Sequence, residues 1–413
     1  MRRAVVTLKS QMRVKLSSNY VCDEGLAVAD DPHFGAPTPG VARSPVSPRV
    51  LTLQEELGIS QRRPRLTDPL LHKAVEALES IDPRHAHSEE HLAQFFAIEP
   101  APGQRFAAGI RLRGDIAAGL EASGWRLPPH VLGGANDFSR SRRRNIFRKR
   151  RELGDRSPVL IAEGDSWFHF PIFLRDVVLQ LSTDHLIWPL GAAGETLDHM
   201  VFGRGETRTP DFLNALGEWG DIAQAFLFSG GGNDLLGEGP DGVSTLTTFI
   251  RPYESDRSAE WHLDTPEFHR RLVSYEAAYR HLIVEVGARR PNLPLMVHAY
   301  DYALPCPYDL TDRRSPHWMA RDRFFGAVFP QLKIVDRRLQ AAILRRVVDA
   351  MNEVLRKLAG GNVPGGAFGH VFHVDLRGSL GFDEWADELH PTSAGYAKLS
   401  QRFRGVLRTA GVH

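Results

Sequence analysis

From residue 158 onward the chain alternates short apolar runs with longer stretches of helical periodicity, and this alternation limits the fold more than any other feature. The runs are Val159–Ala162, Asp184–Leu190, Ala225–Phe228, Leu295–Tyr300 and Val371–Leu376. Each is too short for a buried helix and reads as a strand covered on both faces. Pro171 heads a stretch, Ile172 to Leu181, in which Phe173, Leu174, Val177, Val178 and Leu181 share one helical face. Thr265 caps a second helix that starts at Pro266 and buries Phe268, Leu272, Tyr275, Tyr279 and Leu282. A third covers Val335 to Ala359 and stops at Gly360, and a last one follows Pro391. Repeated strand–helix order predicts an α/β fold, a parallel sheet with helices on both faces.

The region before residue 139 lacks this regularity and is read as a small α+β module of unknown role, with an unknown protein partner. Val5–Leu8 and Met12–Leu16 read as short strands, and Pro69–Ser80 and Glu89–Ala97 as helices. Residues 139–157 carry Arg140, Arg142, Arg143, Arg144, Arg148, Lys149, Arg150 and Arg151. They read as a solvated basic linker or helix face between the module and an α/β domain at 158–413, with Ile146 and Phe147 as a sign that part of it packs and an anionic lipid surface as the alternative use of 140–151. A formal net charge of +1 gives no global attraction for nucleic acid, and none is expected as a partner. Met1–Leu16 has no long apolar core, so neither a signal peptide nor a membrane span is expected there. Cys22 and Cys306 have no metal-ligand spacing around them and read as free thiols in a reducing compartment, which places the protein in the cytoplasm.

Three of the breaks leave chemistry where a ligand would sit, beyond the carboxyl ends of the strands. They are Gly164-Asp165-Ser166, Gly231-Gly232-Asn233-Asp234 and Asp387-Glu388-Leu389-His390, the last just ahead of a helix. Each alone is weak, because small polar residues are ordinary in turns. Together they meet the needs of acyl transfer. A serine hydroxyl requires a base, and a histidine supplies one when a carboxylate orients its ring. The three-residue gap lets Asp387 reach one nitrogen of His390 while the other faces Ser166. The Ser166 and Gly194 N–H groups and the Asn233 amide are the candidate oxyanion donors. His169 competes as base and Asp383 as orienter. Trp167, Phe168 and Tyr302 are assigned to the substrate pocket, the phenylalanine with core packing as an equal alternative.

These blocks resemble the SGNH hydrolases, also called the GDSL esterase/lipase family, over residues 158–410. The resemblance rests on Ser166 in Gly-Asp-Ser, Gly194 in Gly-Glu-Thr, Asn233 in Gly-Gly-Asn-Asp, and Asp387 with His390. It implies a flavodoxin-like, three-layer α/β/α fold whose parallel sheet has the order 2-1-3-4-5. It also implies ester or thioester hydrolysis without metal or other cofactor. By that likeness Ser166 is the nucleophile, His390 the base and then acid, and Asp387 its orienter. Gly194 and Asn233 then complete the oxyanion hole, with Gly191 as the substitute for Gly194. Two departures stand out: Trp167 follows the serine where the family has Leu, and Pro189-Leu190-Gly191-Ala192 lacks the family's Asn.

The expected activity is that of a serine esterase on a small or medium acyl ester. The alternatives are a phospholipid or lysophospholipid hydrolase, and a sensor or effector whose N-terminal module controls the hydrolase. Residues 237–264 and 303–332 are long enough to overhang the cleft as a partial lid.

Overall fold

The computed structural model describes residues 94–100, 108–122, 135–203, 209–237, 243–312, 314, 325 and 328–413, together with residues 69 and 73. The strands read in 5–8 and 12–16 lie outside the described residues, as do the helix at 69–80 apart from those two positions and most of the helix at 89–97. The end of that last stretch differs from expectation. Strand β1 (Phe96–Pro100) pairs antiparallel with β2 (Ala108–Leu112), so residues 96 and 97 belong to a hairpin. A helix, α1 (Gly114–Ala122), follows.

Residues 139–152 are helical and partly buried rather than a solvated linker. Residues Ala135–Glu152 form a helix, α2, in which Arg142, Arg143, Asn145, Ile146 and Phe147 are buried. It lies against β4 (Leu186–Pro189), the edge strand of the main sheet. An edge strand presents unpaired backbone groups and is commonly covered by a helix. Here the arginines provide donors for the carbonyls in and around that strand. Arg140 donates to Leu190 O at 2.9 Å, Arg144 to Pro189 O at 3.0 Å, and Arg150 to Ser182 O and His185 O at 2.7 and 2.9 Å. Arg144 and Arg148 also sit 5.0 and 4.9 Å from the centre of the Trp188 ring. Composition alone cannot separate such a clamp from a solvated basic face.

The main sheet contains β3 (Val159–Gly164), β4, β5 (Ala223–Ser229), β6 (Leu295–His298) and β7 (Val371–His373). All pairs are parallel and the order is β4-β3-β5-β6-β7, which is 2-1-3-4-5 by sequence among these five. Successive side chains of a strand point to opposite faces. Ala225, Phe226, Leu227, Phe228 and Ser229 are all 0% exposed, so both faces of the central strand are covered.

After β3 comes α3, which spans only Val177–Leu181 rather than beginning near Ile172. Asp176 sets the start: its carboxylate accepts from Leu179 N and Phe170 N, both at 2.9 Å, and pairs with the buried Arg143 at 2.8 Å. Ile172, at φ 69°, belongs to the preceding turn. The remaining helices before β6 are α4 (Leu197–Phe202), α5 (Asp211–Trp219), α6 (Gly232–Leu236), α7 (Leu246–Phe249), α8 (Ala259–Leu263) and α9 (Pro266–Arg289). Beyond β6 lie α10 (Arg337–Leu358) and α11 (Ser393–Thr409). Thr265, Asp336 and Thr392 cap α9, α10 and α11 by accepting from a backbone N–H of the first turn. Helix α9 packs against α4, α5, α7 and α10, and α3 packs against α11. Among the described residues no helix is long and apolar enough to cross a membrane.

Candidate active site

Strand β3 ends at Gly164, opposite Ser229 of β5, and the next backbone N–H, of Asp165, still donates to Ser229 O at 3.2 Å. There the ladder stops. Phe168 N and His169 N both turn back to Asp165 O, at 3.0 and 2.9 Å, and Trp167 N donates to the Asp165 carboxylate at 3.0 Å. This side-chain-closed turn holds Ser166 outward at the strand's carboxyl end.

The loop before α11 brings the other two groups. Trp385 and Pro391 form an isolated antiparallel bridge, and Ala386 N donates to His390 O at 2.8 Å, so residues 385–391 close on themselves. Inside this loop Asp387 Oδ2 lies 2.8 Å from His390 Nδ1, while Asp387 Oδ1 accepts from Leu389 N at 2.7 Å and His390 N at 2.6 Å. His390 Nε2 lies 2.8 Å from Ser166 Oγ. Burial acts to raise the Asp387 pKa, but the imidazole beside it and the two backbone donors outweigh burial and hold it below the ordinary carboxylate range.

His169 and Asp383, the competing readings, are not in this chain of contacts. His169 is fully buried, beside Gly191, and burial together with Arg143 and Arg140 holds its pKa well below the ordinary imidazole value. Asp383 sits in a short 3-10 turn, Phe382–Glu384, at the outer end of the loop.

Asn233 stands in the first turn of α6, its amide nitrogen 2.7 Å from Glu195 O. An amide carries two N–H groups, so this bond steers the side chain while leaving one donor. Asp234 Oδ2 accepts from Leu197 N at 2.8 Å, so this pair of residues fastens the turn after β4 at two points. Gly194 occupies that turn at φ 82°, a conformation that favours glycine. The cleft wall includes Ser166 and Asn233 but neither Gly194 nor Gly191. A Cβ on Gly191 would come within 2.7 Å of Gly164 O, which explains glycine there by the close approach of the two strand ends.

Much of the cleft is apolar, lined by Trp167, Leu236, Tyr300, Ala303, Val348 and Leu389, with the carboxyl-bearing Asp165 and Asp301 also in its wall. Of the three residues assigned to the pocket, only Trp167 is placed there, with its Nε1 donating to Leu389 O at 3.1 Å. Phe168 points the other way, into the core between His298 and Phe403, with ring centres 5.2 and 5.6 Å away. Tyr302 does not line the cleft: its hydroxyl donates to Asp349 at 2.8 Å under the Arg345 guanidinium. Leu236, Gly237 and Ala303 bring the roots of both long segments to the rim.

Glu388 and Arg314 went unassigned in the sequence, and Tyr300 was read only as the end of the fourth strand beside the second long segment. Glu388 is buried and accepts from Cys306 N and Phe325 N, both at 2.6 Å, and burial pushes its pKa up to about 7. Arg314 donates to Leu304 O, Pro305 O and Asp387 O at 3.2, 2.9 and 2.9 Å. The position of Tyr300 just past the end of a parallel strand was the available signal.

A serine, an imidazole and a carboxylate in one hydrogen-bonded line, on a sheet of order 2-1-3-4-5, form the architecture that the resemblance to SGNH hydrolases implies. No family model and no curated protein matches the chain. Among solved structures it is similar to an extracellular lipase from Streptomyces rimosus, with 12% identity and a TM-score of 0.37 over 60% of this chain and 100% of that one. It is similar to a phospholipase A1 from Streptomyces albidoflavus, with 12% identity and a TM-score of 0.33 over 60% of this chain and 99% of that one. A carbohydrate esterase family 3 protein from Talaromyces cellulolyticus shows 12% identity and a TM-score of 0.31 over 62% of this chain and 98% of that one.

Proposed function

We propose that the protein is a serine hydrolase that cleaves carboxylic esters or thioesters through an acyl-enzyme. The single observation that carries this reading is the unbroken line of contacts Ser166 Oγ–His390 Nε2 and His390 Nδ1–Asp387 Oδ2, each 2.8 Å. In the first half-reaction Ser166 Oγ bonds to the acyl carbon as its proton passes to His390 Nε2. The carbonyl π electrons move to oxygen, where the Asn233 amide and the Ser166 N–H stabilise the charge. Collapse of this intermediate expels the alkoxide or thiolate, which takes the proton from His390. Water then repeats the sequence on the acyl-serine, releasing a carboxylic acid and restoring the hydroxyl. Asp387 stays ionised throughout and fixes the tautomer with the proton on Nδ1. The apolar lining by Trp167, Leu236, Tyr300 and Val348 favours an uncharged aliphatic or aryl acyl group over a sugar acetyl ester.

The test is labelling by a fluorophosphonate probe. Wild type should react covalently, Ser166→Ala should not, and His390→Ala should react at least ~10³-fold more slowly. Equal labelling of all three proteins would refute the assignment.

A further inference from the structure

We infer that Tyr300 is a positioning residue that sets the distance between the nucleophile turn and the oxyanion block, and that it acts on turnover through Asn233; the inference rests on the hydrolase reading above. Its hydroxyl is shared between the two blocks. It donates to Asp165 Oδ2 and accepts from Gly232 N at 2.8 Å. Asp165 immediately precedes Ser166, and Gly232 immediately precedes Asn233. The other oxygen of Asp165 accepts from Trp167 N at 3.0 Å and from Ser229 Oγ at 3.1 Å. One buried carboxylate and one phenol therefore bind the residue before the nucleophile to the residue before the amide donor.

Tyrosine rings also stand against the glycines of this block. Tyr279 OH donates to Gly230 O at 3.0 Å. A Cβ on Gly231, which has φ 101°, would stand 2.3 Å from the Tyr275 ring. A Cβ on Gly232 would stand 2.8 Å from Tyr300 Oη. Tyrosines thus contact all three residues of the run, and at Gly231 and Gly232 a side chain would displace the ring against it. Of the three tyrosines, Tyr300 alone also lines the cleft, packed edge-on against Trp167 with ring centres 5.1 Å apart. Its two partners are the buried Asp165 and the half-buried Gly232, and all three residues border the cleft.

The physical consequence falls on turnover rather than binding. An oxyanion donor works only at hydrogen-bond distance from the developing charge, and a misplacement of about 1 Å can cost about 10²-fold. Tyr300→Phe keeps the ring that substrate meets and deletes only the shared hydroxyl. We expect kcat for a small apolar aryl ester to fall by about 10- to 100-fold with KM within about 3-fold. In an Asn233→Ala background the same change should cost less than about 3-fold, since the amide it positions is already gone. Ser229→Ala, which removes a donor to Asp165 without touching Gly232, should instead multiply with Asn233→Ala. Should Tyr300→Phe not fold, Tyr300→Leu, which also deletes the shared hydroxyl and leaves Asp165 in place, must show the same loss of effect in the Asn233→Ala background. Unchanged kcat in Tyr300→Phe, a change confined to KM, or full multiplication with Asn233→Ala would overturn the inference. Absence of fluorophosphonate labelling in wild type would instead overturn the hydrolase reading on which it stands.

Discussion

Glu163 is the last residue but one of β3 and lies two positions before Asp165, with only 4% of its surface exposed. Burial, aided by the negative charges of Asp211 and Glu195, pushes its pKa from the ordinary 4.5 up to about 8. The unfolded chain therefore gives up this proton near pH 4.5, whereas the folded protein holds it until about pH 8. Between those values the native state binds more protons than the unfolded one, so stability falls as pH rises. At 1.36 kcal/mol for each tenfold change in proton affinity, the loss across this window reaches ~5 kcal/mol. Relaxation and water entry reduce it, and about 3 to 5 kcal/mol is the expected range. Glu163→Gln keeps the shape and removes the titration. Other carboxyls with raised pKa values, Asp165, Asp176, Asp234, Asp301 and Glu388, remain in both proteins and cancel in the comparison. Urea unfolding at pH 5 and pH 9 measures the effect. The variant should lose about 3 to 5 kcal/mol less stability than wild type between the two conditions. Because β3 leads into the turn that carries Ser166, the variant's activity in the proposed ester hydrolysis should also outlast that of wild type above pH 8. Parallel stability profiles, within about 1 kcal/mol, would refute the claim that Glu163 is protonated in the fold at neutral pH.

Two further outcomes are expected. Asp387→Asn can keep its oxygen on Leu389 N and His390 N but turns an amide NH2 toward His390 Nδ1, which forces the wrong tautomer. Steady-state kinetics should show kcat down by about 10⁴-fold with little change in melting temperature, and a loss of less than about tenfold would count against the triad. Arg143→Ala leaves the Asp176 carboxylate buried and without the cation 2.8 Å away. Denaturant unfolding should show a cost of about 3 to 5 kcal/mol, and a cost under about 1 kcal/mol would mean the helix α2 is not held to the turn before α3 by this pair.

The strands were legible because buried parallel strands are written as short apolar runs, and the five read from sequence match β3 to β7 to within a few residues at their ends. The helices α9, α10 and α11 were legible from local signals, the Thr265 cap, the stop at Gly360 and the proline at 391, while the caps Asp336 and Thr392 were not read. Local signals failed where a distant partner decided the outcome. The turn at Ile172 persists because Asp176 is tied to Arg143 on another helix, so a good helical stripe begins late. The arginines of α2 look solvent-directed in one dimension, and only the uncovered edge of β4 makes them donors to carbonyls. Trp167 and Phe168 are neighbours in the chain, yet a turn sends one to the cleft and the other beneath the sheet.

Residue types and spacing by themselves determined that a hydroxyl stands at a strand end and that a carboxylate and an imidazole stand just ahead of a helix, since those breaks are local events of glycine, proline and polar side chains. Tertiary structure alone decided that Ser166 and His390, more than two hundred positions apart, face each other at 2.8 Å. It also decided that Tyr300 joins Asp165 to Gly232. The reason is physical: a hydrogen bond across a parallel sheet depends on which strands become neighbours, and that choice is made by burial over the whole domain rather than by any short stretch of chain.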